Sequence, residues 1–227
     1  MTPKITEERK LWKQGYRFVA CIDEVGRGPL AGPVVACAVC LSLVKESLTR
    51  LRIEFPRLRD SKKLSSKRRE FFYNLITKNK DIEWGIGIVS EKVIDKINIF
   101  QATQLAMKKA LLNLETKLQK NHHITKSRYS KQMLYIDFLV VDGNTELSLN
   151  NIPCKAIVKG DEKVFSCALA SIIAKVTRDR IMLAYHKKYP QYGFDRHKGY
   201  GTALHLKMLR QYGPCPLHRK SFAPCIL

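Results

Sequence analysis

Apolar residues in this chain fall into short unbroken runs and into longer periodic stretches, and the two patterns predict different elements. Residues 18–22 (Phe-Val-Ala-Cys-Ile) and 34–43 are short runs of the kind found in buried strands, joined by a turn rich in glycine and proline. Residues 65–77 read as a helix with Phe72, Leu75 and Ile76 on its inner face, and Ile82–Val89 alternates as a third strand. Val93, Ile97, Phe100, Met107, Leu111, Leu114 and Leu118 then recur at spacings built from three and four, the mark of a long amphipathic helix. Residues 134–141 read as a strand ending at Asp142-Gly143, and residues 154–158 as a short strand ending at Lys159-Gly160-Asp161. A second long helix over about residues 163–188 turns Phe165, Leu169, Ile172, Ile173 and Val176 inward; its Ala168, Ala170, Ser171 and Ala174 are small enough for close packing on a sheet. A last helix starts near Thr202 with Leu204, Met208 and Tyr212 on one side. Three strands followed by alternating helix and strand predict one α/β domain on a mixed sheet.

Charge narrows the class of partner. The chain has 227 residues and a net charge of +21, from 41 basic against 20 acidic side chains. Self-repulsion on that scale opposes compaction, and nucleic acid is the usual partner for it. No apolar run reaches the roughly 18 residues of a membrane span, and the charged N-terminus lacks a secretory signal's apolar stretch. A cytoplasmic monomer without membrane contact is expected. Residues 117–133 are basic and polar and read as an exposed loop insertion; residues 1–16 read as an N-terminal extension. Cys37 and Cys40 have zinc-ligand spacing but sit mid-strand, so a zinc set completed by Cys215 and His218 is discounted.

Candidate chemistry lies where the strands end. Asp23 and Glu24 close the first apolar run, and Asp142 and Asp161 close two later ones. Ligands of open α/β sheets gather at the carboxyl ends of strands. Four converging carboxylates would repel one another and take up protons; with two divalent cations they become a site for in-line phosphoryl transfer. Each residue alone has a plainer reading. Asp142-Gly143 is a common turn, Asp161 can cap a helix, Asp23 and Glu24 can pair with Arg27, and Tyr200 can be a packing tyrosine.

Eight blocks in order decide between these readings: 22–33 (Ile-Asp-Glu-Val-Gly-Arg-Gly-Pro-Leu-Ala-Gly-Pro), 60–65, 94–103, 141–144, 159–161, 170–179, 197–202 and 218–222 (His-Arg-Lys-Ser-Phe). In these blocks the chain resembles ribonuclease HII from about Val19 to Phe222. The resemblance implies a ribonuclease H-like fold, a mixed central sheet with flanking helices and a helical C-terminal part, forming one catalytic domain over residues 1–227. It implies a Mg2+- or Mn2+-dependent endoribonuclease of DNA replication and repair, acting through a two-metal site. The substrates would be the RNA strand of RNA–DNA hybrids and ribonucleotides embedded in duplex DNA, nicked on the 5′ side to leave 3′-hydroxyl and 5′-phosphate ends. Asp23, Glu24, Asp142 and Asp161 match the family's metal-binding and catalytic acids. Gly26, Arg27 and Gly28 match its reader of the ribose 2′-hydroxyl, Tyr200 its sugar-packing tyrosine, and Lys62 and Lys63 a block expected to touch the phosphate backbone.

Other polar residues are assigned to structure. Asp137 is expected inside a strand, Arg178 and Asp179 in an ion-pair network, and His197, His205 and His218 lack a carboxylate partner at any obvious spacing. The rivals are a ribonuclease HIII-like sister enzyme and a catalytically silent basic nucleic-acid-binding module. A lysine at position 27 and a long N-terminal domain would mark the sister enzyme; Arg27 and the short leading segment favour the first reading.

Overall fold

The computed structural model describes residues 2–42, 51, 53–55, 58, 61–121, 135–144 and 152–225. Its sheet has five strands, β1 (Val19–Val25), β2 (Val34–Leu41), β3 (Ile82–Val89), β4 (Phe138–Asp142) and β5 (Cys154–Ile157), in the order β3-β2-β1-β4-β5. β1, β2 and β3 pair antiparallel, whereas β1 with β4 and β4 with β5 pair parallel. The mixed sheet expected from the hydrophobic pattern is therefore present. Helices bounded within the described residues are α1 (Thr6–Lys13), α2 (Ser66–Lys78), α3 (Glu91–Asn121), α4 (Gly160–Lys163), α5 (Phe165–Lys188), α6 (Phe194–His197) and α7 (Ala203–Tyr212).

The period of two along each strand divides the core into layers. Ala20 and Ile22 of β1, Ala36 and Ala38 of β2 and Val141 of β4 face α3 through Ala106, Ala110 and Leu114. Val35, Cys37 and Val39 of β2 face α5 through Leu169, Ile172 and Ile173, with Phe72 and Ile76 of α2 closing that side. Cys37 and Cys40 thus lie on opposite faces of the sheet and cannot ligate one ion. On β3 the glycines set the spacing of the layers. A Cβ at Gly85 would sit 2.3 Å from Ala110 O, and one at Gly87 closer still to Ala106 O, so α3 packs directly on strand backbone. The last layer gathers Leu30, Met182, Tyr192, Phe194 and Leu209 around the C-terminal segment.

Several expectations need correction. The long helix breaks at Asn98 (φ 64, ψ 167), whose Oδ1 accepts from Gln101 N at 3.0 Å and so caps a restarted helix. Phe100, one of the seven periodic residues, is consequently exposed. Helix α3 continues to Asn121, so residues 117–121 are helical where a loop was expected, and Lys117 lies over the Trp84 ring at 3.6 Å; residues 122–133 of that insertion lie outside the described residues. Asp137 precedes β4 and its carboxylate accepts from Arg17 N and Phe18 N, tying the entry of β1 to that of β4. On α7 the buried residues are His205 and Leu209, and Tyr212 is exposed. The N-terminal segment is packed: Glu8 of α1 accepts from Ser166 N at 2.9 Å and Ser166 Oγ at 2.6 Å, capping the first turn of α5 from outside the helix.

Candidate active site

Strands β1 and β4 run parallel with Ile22 opposite Val141, so the next residue on each strand is an aspartate. Both sit two residues beyond Cys21 and Val140, which pack with Cys167 of α5; Asp23 and Asp142 therefore continue the face that α5 covers. Asp161 comes from the short α4 turn, which opens after Lys159 takes the left-handed conformation (φ 57). Gly160 N donates to Asp142 Oδ1 at 2.7 Å, locking that turn to the end of β4. Carboxylate oxygens of Asp23, Asp142 and Asp161 lie within 4.8 Å of one another, with Asp23 and Asp161 buried and Asp142 half-buried.

Glu24 stands beside this triad, not in it. Neighbours on a strand point to opposite faces, and Glu24 turns toward α3, where it lines a pocket with Arg27, Phe100, Gln104, Asp142 and Asn144. β1 runs on to Val25, so alternation turns Glu24 away from Asp23 and onto the other side of Asp142, whose charge it feels and with which it shares that pocket.

Electrostatics mark the triad as an unstable arrangement of like charge. Burial pushes the Asp23 carboxyl well above the usual range, and the charges of Glu24, Asp142 and Asp161 push it further, against a hydrogen bond from Ser171. Glu24 is raised as well, by burial and by Asp142, with Arg27 pulling the other way. Such a cluster stands at a cost in folding energy unless a cation joins it. Lys62 Nζ approaches Asp161 Oδ2 at 3.6 Å and Lys63 Nζ pairs with Glu162 at 2.8 Å, so the Ser61–Lys63 turn lies along one side of the acids. One or two exposed ammonium groups offset little of the repulsion. Oxygen-only ligands at this spacing suit a hard divalent ion such as Mg2+ or Mn2+.

The remaining residues singled out by sequence lie on the adjoining turns. Gly26 takes φ +98, and a Cβ there would meet Arg178 Nε at 2.4 Å, so only glycine fits. The Arg27 side chain is exposed and reaches Glu24 at 3.5 Å. Tyr200 is 41% exposed, with the Arg178 guanidinium carbon 5.8 Å from its ring centroid.

A family model described as Ribonuclease HII matches residues 20–225. The chain belongs to the ribonuclease HII family. Ribonuclease HII of Chlamydia caviae is 48% identical over 218 residues, which span 96% of this chain and 89% of that protein. Among solved structures, ribonuclease H2 from Pyrococcus horikoshii OT3 superposes with a TM-score of 0.64 at 25% identity, covering 92% of this chain and 95% of that one. Bst-RNase HIII in complex with Mn2+ superposes with a TM-score of 0.62 at 17% identity, covering 92% and 68% respectively. The fold is the ribonuclease H-like one, and the chain is a ribonuclease of the H type.

Within this ribonuclease HII family member the sequence reading missed the supports of the triad. Ser171 hydrogen-bonds Asp23, and Ser61 Oγ lies 2.8 Å from Ser171 Oγ, both serines being buried. The small residues around Ser171 pointed only to close packing; its hydroxyl, one polar group on an apolar helix face, was the available signal. Arg178 belongs to no ion pair with Asp179. Asp179 does sit in the expected ion-pair network, with Lys175 at 2.8 Å and Arg69 at 3.9 Å, whereas Arg178 donates to main-chain carbonyls. The three histidines are buried. His205 Nδ1 must donate to Tyr200 O (2.9 Å), leaving His205 Nε2 to accept from His218 Nε2 (3.0 Å) and His218 Nδ1 to accept from Cys215 N (2.9 Å). That chain of bonds ties the C-terminal segment to the backbone at Tyr200.

Proposed function

We propose that this enzyme hydrolyses the RNA strand of RNA–DNA hybrids and nicks duplex DNA on the 5′ side of embedded ribonucleotides, leaving 3′-hydroxyl and 5′-phosphate ends. The observation that carries this reading is the meeting of Asp23, Asp142 and Asp161 from three separate segments, with oxygens inside 4.8 Å, in a chain of net charge +21. Mg2+ or Mn2+ held by these residues, with Glu24 at the rim, supplies the Lewis acidity that displacement at phosphorus requires. The manganese bound by Bst-RNase HIII, a protein of like fold, supports that choice of ion.

The chain's own groups divide the remaining work. Asp23 is held by Ser171 and by Glu24 N (2.7 Å), and Asp142 by Gly160 N, so both arrive at the reaction with fixed rotamers. Gly26, Arg27 and Gly28 face the ribose 2′-hydroxyl, and a deoxy sugar leaves their polar groups unpaired. Tyr200 packs on the neighbouring sugar. Lys62 and Lys63, beside the acids, meet the phosphate backbone and keep the substrate strand in register. The whole of residues 1–227 acts as one catalytic domain, as a cytoplasmic monomer.

The test is a duplex with one internal ribonucleotide, incubated with the enzyme and Mg2+ and mapped at nucleotide resolution. A single nick 5′ of the ribonucleotide with a 3′-hydroxyl end is expected. Binding without a nick would favour the silent module and overturn the reading.

A further inference from the structure

Two guanidinium groups with no solvent exposure, those of Arg178 and Arg219, lie behind the segment 26–33. Both are satisfied by main-chain carbonyls. Arg219 donates from Nε and Nη2 to Gly32 O (3.0 and 2.8 Å), from Nη1 to Arg27 O (2.9 Å) and from Nη2 to Gly26 O (2.6 Å). Arg178 donates to Pro33 O (2.9 Å), Ala31 O (3.1 Å) and Lys198 O (2.9 Å). Every carbonyl named here except that of Lys198 belongs to the turn that contains Gly26-Arg27-Gly28 or to its continuation.

Arg219 comes from the far end of the chain, and its segment is anchored without it. The Asp95 carboxylate accepts from Lys220 N and Ser221 N at 3.0 Å each. Main-chain bonds join Arg219 N to Leu30 O (2.8 Å), Gly32 N to Leu217 O (2.9 Å) and Leu30 N to Gly199 O (2.8 Å). Chain-to-chain attachment is thus already supplied, and what the Arg219 side chain adds is control of the carbonyls at 26 and 27. Burial and the nearby Arg178 lower its pKa to about 9, which leaves it charged near neutrality. A planar fork of fixed donors defines the orientation of several acceptors at once; a lysine ammonium in the same place does not.

We propose that Arg219 is a positioning residue that fixes the main-chain shape of the Gly26-Arg27-Gly28 turn from behind and thereby sets how sharply the enzyme selects a ribonucleotide over a deoxyribonucleotide. The inference rests on the reading that this turn faces the 2′-hydroxyl. It gives a role to the His-Arg-Lys-Ser-Phe block, which the chemistry of the acids leaves unexplained.

The experiment uses full-length Arg219→Gln and Arg219→Lys with Mg2+. It reads kcat and KM on a duplex with one ribonucleotide, and Ki for the same duplex made wholly of DNA. In Arg219→Gln, KM for the ribonucleotide duplex is expected to rise about tenfold, with kcat and the DNA Ki held within about threefold, the loss of roughly one well-formed hydrogen bond. Arg219→Lys, which keeps the charge and has the better prospect of folding, should fall between. KM and Ki moving together, or neither moving, would overturn the proposal. Amide hydrogen exchange without substrate gives a second reading: exchange across 26–32 should quicken in the variants while that of α5 holds, and unchanged rates would overturn it too. A wild-type enzyme that does not nick the ribonucleotide duplex refutes the substrate reading instead, and the exchange rates then decide alone.

Discussion

At the carboxyl ends of β1 and β4, Asp23, Asp142 and Asp161 crowd negative charge within 4.8 Å, while behind the 26–33 turn Arg178 and Arg219 hold positive charge in full burial. The two regions answer the same physical problem differently. Each guanidinium is met by main-chain carbonyls at 2.6–3.1 Å, so the desolvation cost is offset locally by dipoles that the fold already fixes. The aspartates have donors too, with Glu24 N and Ser171 on Asp23, Gly160 N on Asp142 and the Lys62 ammonium near Asp161, but their carboxylates are also crowded together. Charge satisfied in place shapes the backbone. Buried charge left repelling is the arrangement that a shared cation would relieve, and the proposed metal site rests on that contrast.

The largest expected difference between the regions is in turnover. Asp142→Asn or Asp23→Asn should lower Mg2+-dependent nicking about a thousandfold or more, about 4 kcal/mol of transition-state stabilisation. The same variants, measured without metal, should melt no lower than wild type, because they remove a repelling charge. Near-normal turnover in either would remove the triad from the chemistry. Arg178→Gln should do the reverse. Carbonyls of Ala31, Pro33 and Lys198 lose their donors, and denaturant unfolding should report a loss of about 3 kcal/mol that divalent metal does not rescue. An unchanged midpoint would show that the carbonyls find other partners.

Stability against pH separates the regions again, with opposite signs. Asp23 and Glu24 have raised pKa values, so the native state binds more protons than the unfolded chain above the ordinary carboxylate range of about 4. Metal-free stability should therefore fall as pH rises from there, and Asp23→Asn should flatten that fall. Burial lowers His205 and His218 from 6.5 to about 4, so between those values the unfolded chain binds more protons. Their contribution is present above about 6.5 and is lost as pH drops toward 4. Thermal melts of wild type, Asp23→Asn and His218→Gln across pH 4–8 resolve the two slopes; slopes of the same sign would contradict the assignment.

Much of this was legible in the sequence, and the failures have physical causes. Strand positions followed from short apolar runs, and so did the place of Asp142 at the end of β4; Asp23 lies inside β1 and Asp161 on the α4 turn beyond β5, each near the stop of its run but not at a strand end. The separation of Glu24 from Asp23 did not, because it depends on β1 continuing to Val25, three residues past its last apolar run. The break at Asn98 and the exposure of Phe100 depend on one residue adopting φ 64, which no hydrophobic period encodes. The close seating of α3 on Gly85 and Gly87 could be read only as weak strand positions until the facing helix was in place. Arg178 was misassigned because its partners are carbonyls, and carbonyls are present at every residue and so leave no mark in sequence.

The smallest expected effect sharpens the aspartate side. Ser171→Ala removes the hydroxyl between Asp23 and Ser61, and should lower turnover about threefold to tenfold with KM little changed, the cost of a loosened hydrogen bond. A change in KM alone would move Ser171 to substrate binding.

The most direct measurement is an anomalous-scattering map from crystals grown with Mn2+. A peak ligated by carboxylate oxygens of Asp23, Asp142 and Asp161, at metal–oxygen distances of about 2.0–2.3 Å, is the expected result. A map with the aspartates well ordered and no peak among them, at a Mn2+ concentration that supports nicking, would contradict the claim that these residues meet in order to share a cation.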